Sequence, residues 1–151
     1  MINQLPLLQK RHSVTNIVVH LIFTTKYRRK KMSEPVLAYL RGILASLAES
    51  KGCFVLAING EPDHIQLLVQ TPPQISVSNL VGFFKADSSK ITLEKFPELR
   101  TFSNHGYFWS TSYFAASVGG VAIQTLENMY KIKVKRNVSH LRPFAWRFPG
   151  E

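Results

Sequence analysis

Glu61-Pro62-Asp63-His64-Ile65-Gln66-Leu67-Leu68-Val69 is the stretch on which the fold turns. From His64 onward the side chains alternate between two faces, as in a strand. His64, Gln66, Leu68 and Gln70 share one face, and Ile65, Leu67 and Val69 share the other. The apolar trio can pack on helices while His64 and Gln66 project together from the opposite side, where two neighbouring polar groups can hold a metal. Just upstream, Phe54 to Ile58 reads as a partner strand, with Asn59-Gly60-Glu61-Pro62-Asp63 as the turn material of a hairpin.

Working outward, the β-branched run Asn16 to Thr25 reads as a buried strand that leads into the basic cluster Lys26-Tyr27-Arg28-Arg29-Lys30-Lys31. Ser33 can cap a helix from near Glu34, whose apolar positions Val36, Leu40, Ile43, Leu44 and Leu47 recur at helical spacing until Lys51-Gly52. After Pro72-Pro73, Ser76 can cap a second helix with Val77, Leu80, Val81, Phe84, Ile91 and Leu93 on its apolar face and Lys85, Lys90 and Lys95 outside it. Tyr107 to Val118 reads as a last strand, and a third helix is expected from about Ala122 to Lys135. The order β-α-β-β-α-β-α implies an α+β fold: a ferredoxin-like antiparallel sheet with two helices on one face and an added C-terminal helix. Residues 1–12 read as an N-terminal extension, 13–135 as the domain and 136–151 as a basic, aromatic tail.

The chain has 19 Lys and Arg against 9 Asp and Glu, a formal net charge of +10, so its surface favours a polyanion such as nucleic acid or an anionic membrane. Cys53 is the single cysteine, which excludes an internal disulfide and a multi-cysteine zinc site and points to a reducing compartment. No apolar stretch approaches the roughly 18 residues of a membrane span, so a cytoplasmic protein without a membrane partner is expected. Lys26 to Lys31 set five basic side chains around Tyr27, a combination suited to phosphate contact and base stacking, and Lys85 and Lys90 add charge.

The segment Glu61 to Val69 resembles the PDH-hydrophobic-H-L-hydrophobic-V signature of single-tyrosine, HUH-class transposases of bacterial and archaeal insertion sequences, the IS-200-like type. The basic Lys26-Tyr27-Arg28-Arg29, Gly52-Cys53, Phe83-Phe84-Lys85 with Ser88-Ser89, Lys95-Phe96-Pro97-Glu98-Leu99 and Trp109-Ser110-Thr111-Ser112-Tyr113-Phe114 follow in the family's order, so the resemblance covers roughly Ser13 to Lys135. It implies a homodimer that binds hairpin or single-stranded DNA. It also implies a divalent metal, Mg²⁺ or Mn²⁺, held by two histidines of one strand and a glutamine of the last helix, with a tyrosine of that helix forming a 5′-phosphotyrosine.

Three positions depart from that pattern. His64 matches the first metal histidine, but Gln66 stands at the second, and an amide is a weaker, neutral ligand. An ungapped match puts Met129 at the nucleophile position, with Tyr130 one residue late and turned by about 100° unless the helix slips. The glutamine position falls on Lys133, or on Val134 in the slipped register. The expectation is a DNA-binding protein of transposase type with degenerate or lost strand cleavage. The alternative is an active transposase using Tyr130. The apolar stretch Tyr113 to Val118 is the expected dimerisation edge.

Overall fold

The computed structural model describes residues 7–10, 12–102 and 108–118. Its centre is β3 (Ile17–Thr25), eight of whose nine residues are buried, as its β-branched and apolar run requires. On one side β3 pairs antiparallel with β5 (His64–Thr71), from Ile17 opposite Thr71 to Thr24 opposite His64. On the other side it pairs antiparallel with β6 (Trp109–Val118). β4 (Phe54–Glu61) completes the sheet as the far neighbour of β5, giving the order β4-β5-β3-β6. All three pairings are antiparallel, and the two central strands are the first and third of the four, as the ferredoxin-like order demands.

Two helices cover one face. α1 (Glu34–Ser50) starts at Ser33, whose carbonyl accepts from Leu37 N, with Pro35 in the first turn where no helical donor is lost. It buries Val36, Leu37, Leu40, Leu44 and Ala48, and ends at Gly52, whose φ of +72° suits glycine. α2 (Val77–Lys95) is capped by Ser76, whose hydroxyl accepts from Asn79 N at 3.1 Å. Its buried face runs from Leu80, Val81 and Phe84 through the small polar Ser88 and Thr92. Ser88 belongs there because its hydroxyl accepts from the indole of buried Trp109 at 2.9 Å. Against these helices pack Val19, Leu21, Phe23, Ile65, Leu67 and Val69, the alternate residues of the central strands.

The opposite face is not uniformly polar. A bulge between Val55 and Ala57 turns both Leu56 and Ala57 onto it, where they pack with Val18, Leu68 and Val118 in a small second cluster. Polar groups gather at the end of this face nearest the β4–β5 turn, with His20 midway and Gln70 at the far end, where its Nε2 donates to Asn16 Oδ1 at 3.2 Å.

One expectation is revised. Asn59, Gly60 and Glu61 do not form the hairpin turn; they belong to β4, and Pro62-Asp63 alone make the connection. The glycine that resembled turn material serves packing instead, since a Cβ there would lie 2.5 Å from Leu37 Cδ2 of α1. In the N-terminal extension, β1 (Leu8–Lys10) and β2 (Ser13–Thr15) pair as a small antiparallel ribbon that crosses the boundary set at residue 12. The expected C-terminal helix, Ala122 to Lys135, and the tail 136–151 lie outside the described residues.

Gly60→Val should cost about 1–3 kcal/mol through overpacking against α1. In a double-mutant cycle with Leu37→Ala, followed by urea unfolding, the two costs should fall short of additivity by at least about 0.5 kcal/mol. Strict additivity would show that the contact is not the reason for the glycine.

Candidate functional site

Residues directly opposite in an antiparallel pair share a face, so the register assembles the site row by row. Glu61, His64 and Thr24 form the first row, and Asn59, Gln66, Ile22 and Phe114 the second. Ala57, Leu68, His20 and Ala116 form the third, which is already largely apolar. His64 and Gln66 are therefore brought together as their spacing requires. His20 stands two rows from His64, its ring edge-on to Phe114 at 5.9 Å.

His64 is held from both sides. Its Nδ1 lies 2.7 Å from Asp63 Oδ1, a contact that selects the tautomer with the proton on Nδ1 and leaves Nε2 as an acceptor. Gln66 Nε2 approaches that acceptor at 3.5 Å, so the amide N–H donates toward the imidazole at the limit of hydrogen-bond length. The hydrogen bond from His64 holds the Asp63 carboxyl below the usual carboxylate range, against the opposing effect of burial and with help from the Arg28 charge. Arg28 closes the chain with a 3.6 Å ion pair to Asp63 Oδ2.

The basic loop is tied to the same turn. Thr25 N donates to Asp63 O at 2.9 Å and Met32 N to Pro62 O at 3.0 Å, while Thr25 Oγ1 donates to Arg29 O at 2.6 Å and lies 3.2 Å from Asp63 O. Between these anchors the chain makes a single 3₁₀ turn in which Tyr27 and Arg28 adopt φ of 58° and 52°. Two consecutive non-glycine residues in the left-handed region cost roughly 1 kcal/mol or more each. The conformation sends Tyr27 outward, 72 % exposed, and Arg28 inward to Asp63. Lys26 Nζ and the Arg29 guanidinium flank the Tyr27 ring at 5.3 and 5.8 Å from its centroid.

The six-residue run is not one solvated cationic surface. Lys31 is buried, with its ammonium 5.6 Å from the centroid of the Phe108 ring, and burial together with the Arg29 charge lowers its pKa. It packs under the loop instead of facing outward. Lys85, placed outside the apolar face from the sequence, is half-buried against the β6 edge: its Nζ donates to Ser112 O at 3.2 Å and lies 5.9 Å from the Tyr113 ring centroid. Burial, aided by the Lys26 charge, pushes its pKa down to about 8. Arg29, Lys30 and Lys90 are exposed, and Lys26 and Arg28 are partly so.

As a metal site the described donors are thin. His64 and Gln66 supply one imidazole nitrogen and one amide, the amide turned nitrogen-first, and Asp63 is engaged with the imidazole. Among the described residues no three His, Cys, Asp or Glu side chains come together to hold a metal. These donors do not fit a divalent cation as they stand. Tyr130, Met129 and Lys133 lie outside the described residues. Asn59, which looked like turn material, stands beside Gln66; counting back from a two-residue turn would have placed it there.

Comparison with known proteins identifies the family and the fold. Residues 13–130 match the family model described as "Transposase IS200 like". The chain is 32 % identical over 108 residues to the transposase for insertion sequence element IS200 of Salmonella typhimurium LT2, covering 72 % of this chain and 71 % of the relative. It is 31 % identical over 116 residues to the ISDra2 transposase TnpA of Deinococcus radiodurans, covering 76 % and 83 %. Among solved structures, a Deinococcus radiodurans R1 protein assigned as a transposase superposes with a TM-score of 0.69 at 26 % identity, over 83 % of this chain and 96 % of that one. A REP-associated tyrosine transposase bound to a REP hairpin superposes with a TM-score of 0.60 at 12 % identity, over 84 % and 72 %, a likeness of fold.

Because the folded-state pKa of Asp63 is depressed, its ionised form contributes stability that is complete above the ordinary aspartate value of about 4 and is lost as pH falls through the folded value. Asp63→Asn should therefore be less stable than the wild type at pH 7, with the gap closing progressively below about pH 4. Urea unfolding across pH 7 to 2.5 measures it, and a gap that stays constant to the acid end would contradict the assignment.

Proposed function

The chain belongs to the IS200-like transposase family, and from that premise we propose that it binds hairpin or single-stranded DNA while its strand-cleaving activity is weak or lost. The observation that carries the second part is Gln66. Its amide nitrogen points at His64 Nε2, the lone pair that a metal would need. An imidazole in that place would bring a second strong nitrogen donor, whereas an amide brings at best a neutral oxygen.

The first part is supported by the loop. Tyr27 offers an exposed aromatic face flanked by Lys26 and Arg29, and Arg28 and Lys30 add positive charge within the same turn. This arrangement suits stacking on an unpaired base with phosphate contacts on either side. The structural neighbour described as bound to a REP hairpin is consistent with DNA of that shape as the ligand. Lys90 extends the charge along α2, while Lys31 and Lys85 serve it indirectly, one packing under the loop and one against β6. The functional unit is residues 13–135, with 1–12 as an extension and 136–151 as a tail. Its partner is a second copy paired through the β6 edge, and its setting is the cytoplasm. Among the described residues no helix is long and apolar enough to cross a membrane.

The alternative, an active transposase with Tyr130 as nucleophile, has one observation in its favour. Asp63 fixes His64 with Nε2 as the accepting nitrogen, and rotating the Gln66 amide by half a turn would set Oε1 beside it. In that reading His64 and Gln66 would hold Mg²⁺ or Mn²⁺, which when bound would polarise the scissile phosphate.

Fluorescence anisotropy with a labelled hairpin oligonucleotide should show binding that weakens linearly in log K against log salt. Lys26→Ala with Arg29→Ala should reduce that slope by about 2. Binding indifferent to salt, or absent, would overturn the DNA reading. With Mg²⁺ or Mn²⁺ present, denaturing gels should show little or no covalent protein–DNA adduct; a strong adduct abolished by Tyr130→Phe would establish the active alternative.

A further inference from the structure

Asn59 was not among the residues singled out by sequence, yet it stands on the edge strand β4 within the polar end of the sheet face. It lies directly opposite Gln66, and its neighbour on the same face of β4, Glu61, lies directly opposite His64. The four side chains form a block two strands wide and two rows deep, beside the Pro62-Asp63 turn to which the basic loop is anchored.

Within this block Asn59 is anomalous. It is 9 % exposed, and its amide Nδ2 is buried with no hydrogen-bond partner among the described residues. Gln66, the one amide placed directly across from it, has its own nitrogen turned toward His64 and does not accept from Asn59. Buried amide donors in folded proteins are nearly always paired, so this orphan calls for an acceptor, a water or a ligand atom, that the described side chains do not supply. A leucine of similar shape would fill the same space without that penalty, and Leu68 and Ala57 show that apolar residues are accommodated one row away.

The unpaired group is a donor, so its complement is an acceptor. The surrounding charges select which one: against the carboxylates of Glu61 in the block and Asp63 at the turn stand Arg28, paired with Asp63, and Lys26, Arg29 and Lys30 of the same loop, four cations to two anions. An anionic oxygen is attracted there, and a neutral N–H is a common partner for a phosphate oxygen. We propose that Asn59 donates from Nδ2 to a phosphodiester oxygen of bound single-stranded DNA, positioning the backbone beside Gln66 and His64. This rests on the DNA-binding reading above and adds a phosphate-contacting residue to it.

The experiment uses the full chain, a labelled hairpin oligonucleotide with a single-stranded flank, and buffer containing EDTA. Asn59→Leu should weaken binding by roughly tenfold or more, the loss expected for a hydrogen bond to a charged group. It should also raise the melting temperature, because the orphaned donor is removed. That opposition of signs separates a ligand contact from a structural role, which would lower both. Asn59→Asp, an acceptor of the same shape, should weaken binding further, and a cooperative melt shows that each variant is folded. Affinity within twofold of the wild type for folded Asn59→Leu overturns the proposal and leaves the DNA reading standing. So does a loss that is present with Mn²⁺ and absent in EDTA, which would make Asn59 a metal ligand, or one seen with inorganic phosphate and not with the oligonucleotide. If the wild type itself fails to bind the oligonucleotide, the DNA reading falls first, and the proposal with it.

Discussion

Everything in the site depends on the pairing of β3 with β5. Their unbroken register from Ile17 opposite Thr71 to Thr24 opposite His64 commits Val19, Leu21, Phe23, Ile65, Leu67 and Val69 to the helix-covered face. The same commitment leaves His64 and Gln66 no choice but the other face. A slip of β5 by one residue would drive His64 and Gln66 under α1 and α2 and expel Ile65, Leu67 and Val69, each contributing about 1.5–3 kcal/mol by burial. The core thus enforces the geometry of the site without any contact between the two.

A second constraint acts at the end of that ladder. Pro62-Asp63 must turn the chain in two residues, and this turn is bonded through its carbonyls to Thr25 and Met32, which bracket the basic loop. Asp63 is the junction: its backbone holds the loop, one carboxylate oxygen orients His64 and the other meets Arg28. The left-handed conformations of Tyr27 and Arg28 are stored strain, sustained because these bonds over-determine the loop. The loop that would meet a polyanion and the imidazole on the sheet are consequently parts of one assembly, so displacement of Arg28 by a phosphate would be felt at His64 through a single carboxylate.

Much of this was legible in the sequence because it follows from period and capping. The alternation from His64 to Gln70 gave the faces, and the spacing of Val36, Leu40 and Leu44 gave α1. Ser33 and Ser76 marked both helix starts. What escaped depended on contacts between distant segments. Asn59-Gly60 carries the composition of a turn, and only the approach of Leu37 explains why a glycine is needed inside a strand. Lys31 belongs by charge to the surface, but the Phe108 ring that covers it comes from 77 positions along the chain. Lys85 falls outside the apolar stripe of α2, yet the β6 edge supplies the Ser112 carbonyl it bonds. The β1–β2 ribbon carries little periodicity in three-residue strands, so nothing local announced it.

An amide at position 66, where the resembled signature carries an imidazole, bears on more than ligand strength. A histidine there would pair with His64 through one N–H, through a cation shared between two nitrogen lone pairs or, on protonation, across a repelling charge, so the pair would have more than one way to settle. Gln66 can settle it alone, since one amide carries both a donor and an acceptor and its nitrogen already faces the acceptor that Asp63 leaves on His64. The demand for a cation is thereby reduced. Asn59, opposite, retains a demand that nothing among the described residues meets, and it is a demand for an acceptor. In the proposed reading this strand face grips a phosphate, while the metal chemistry of cleavage is weak or lost.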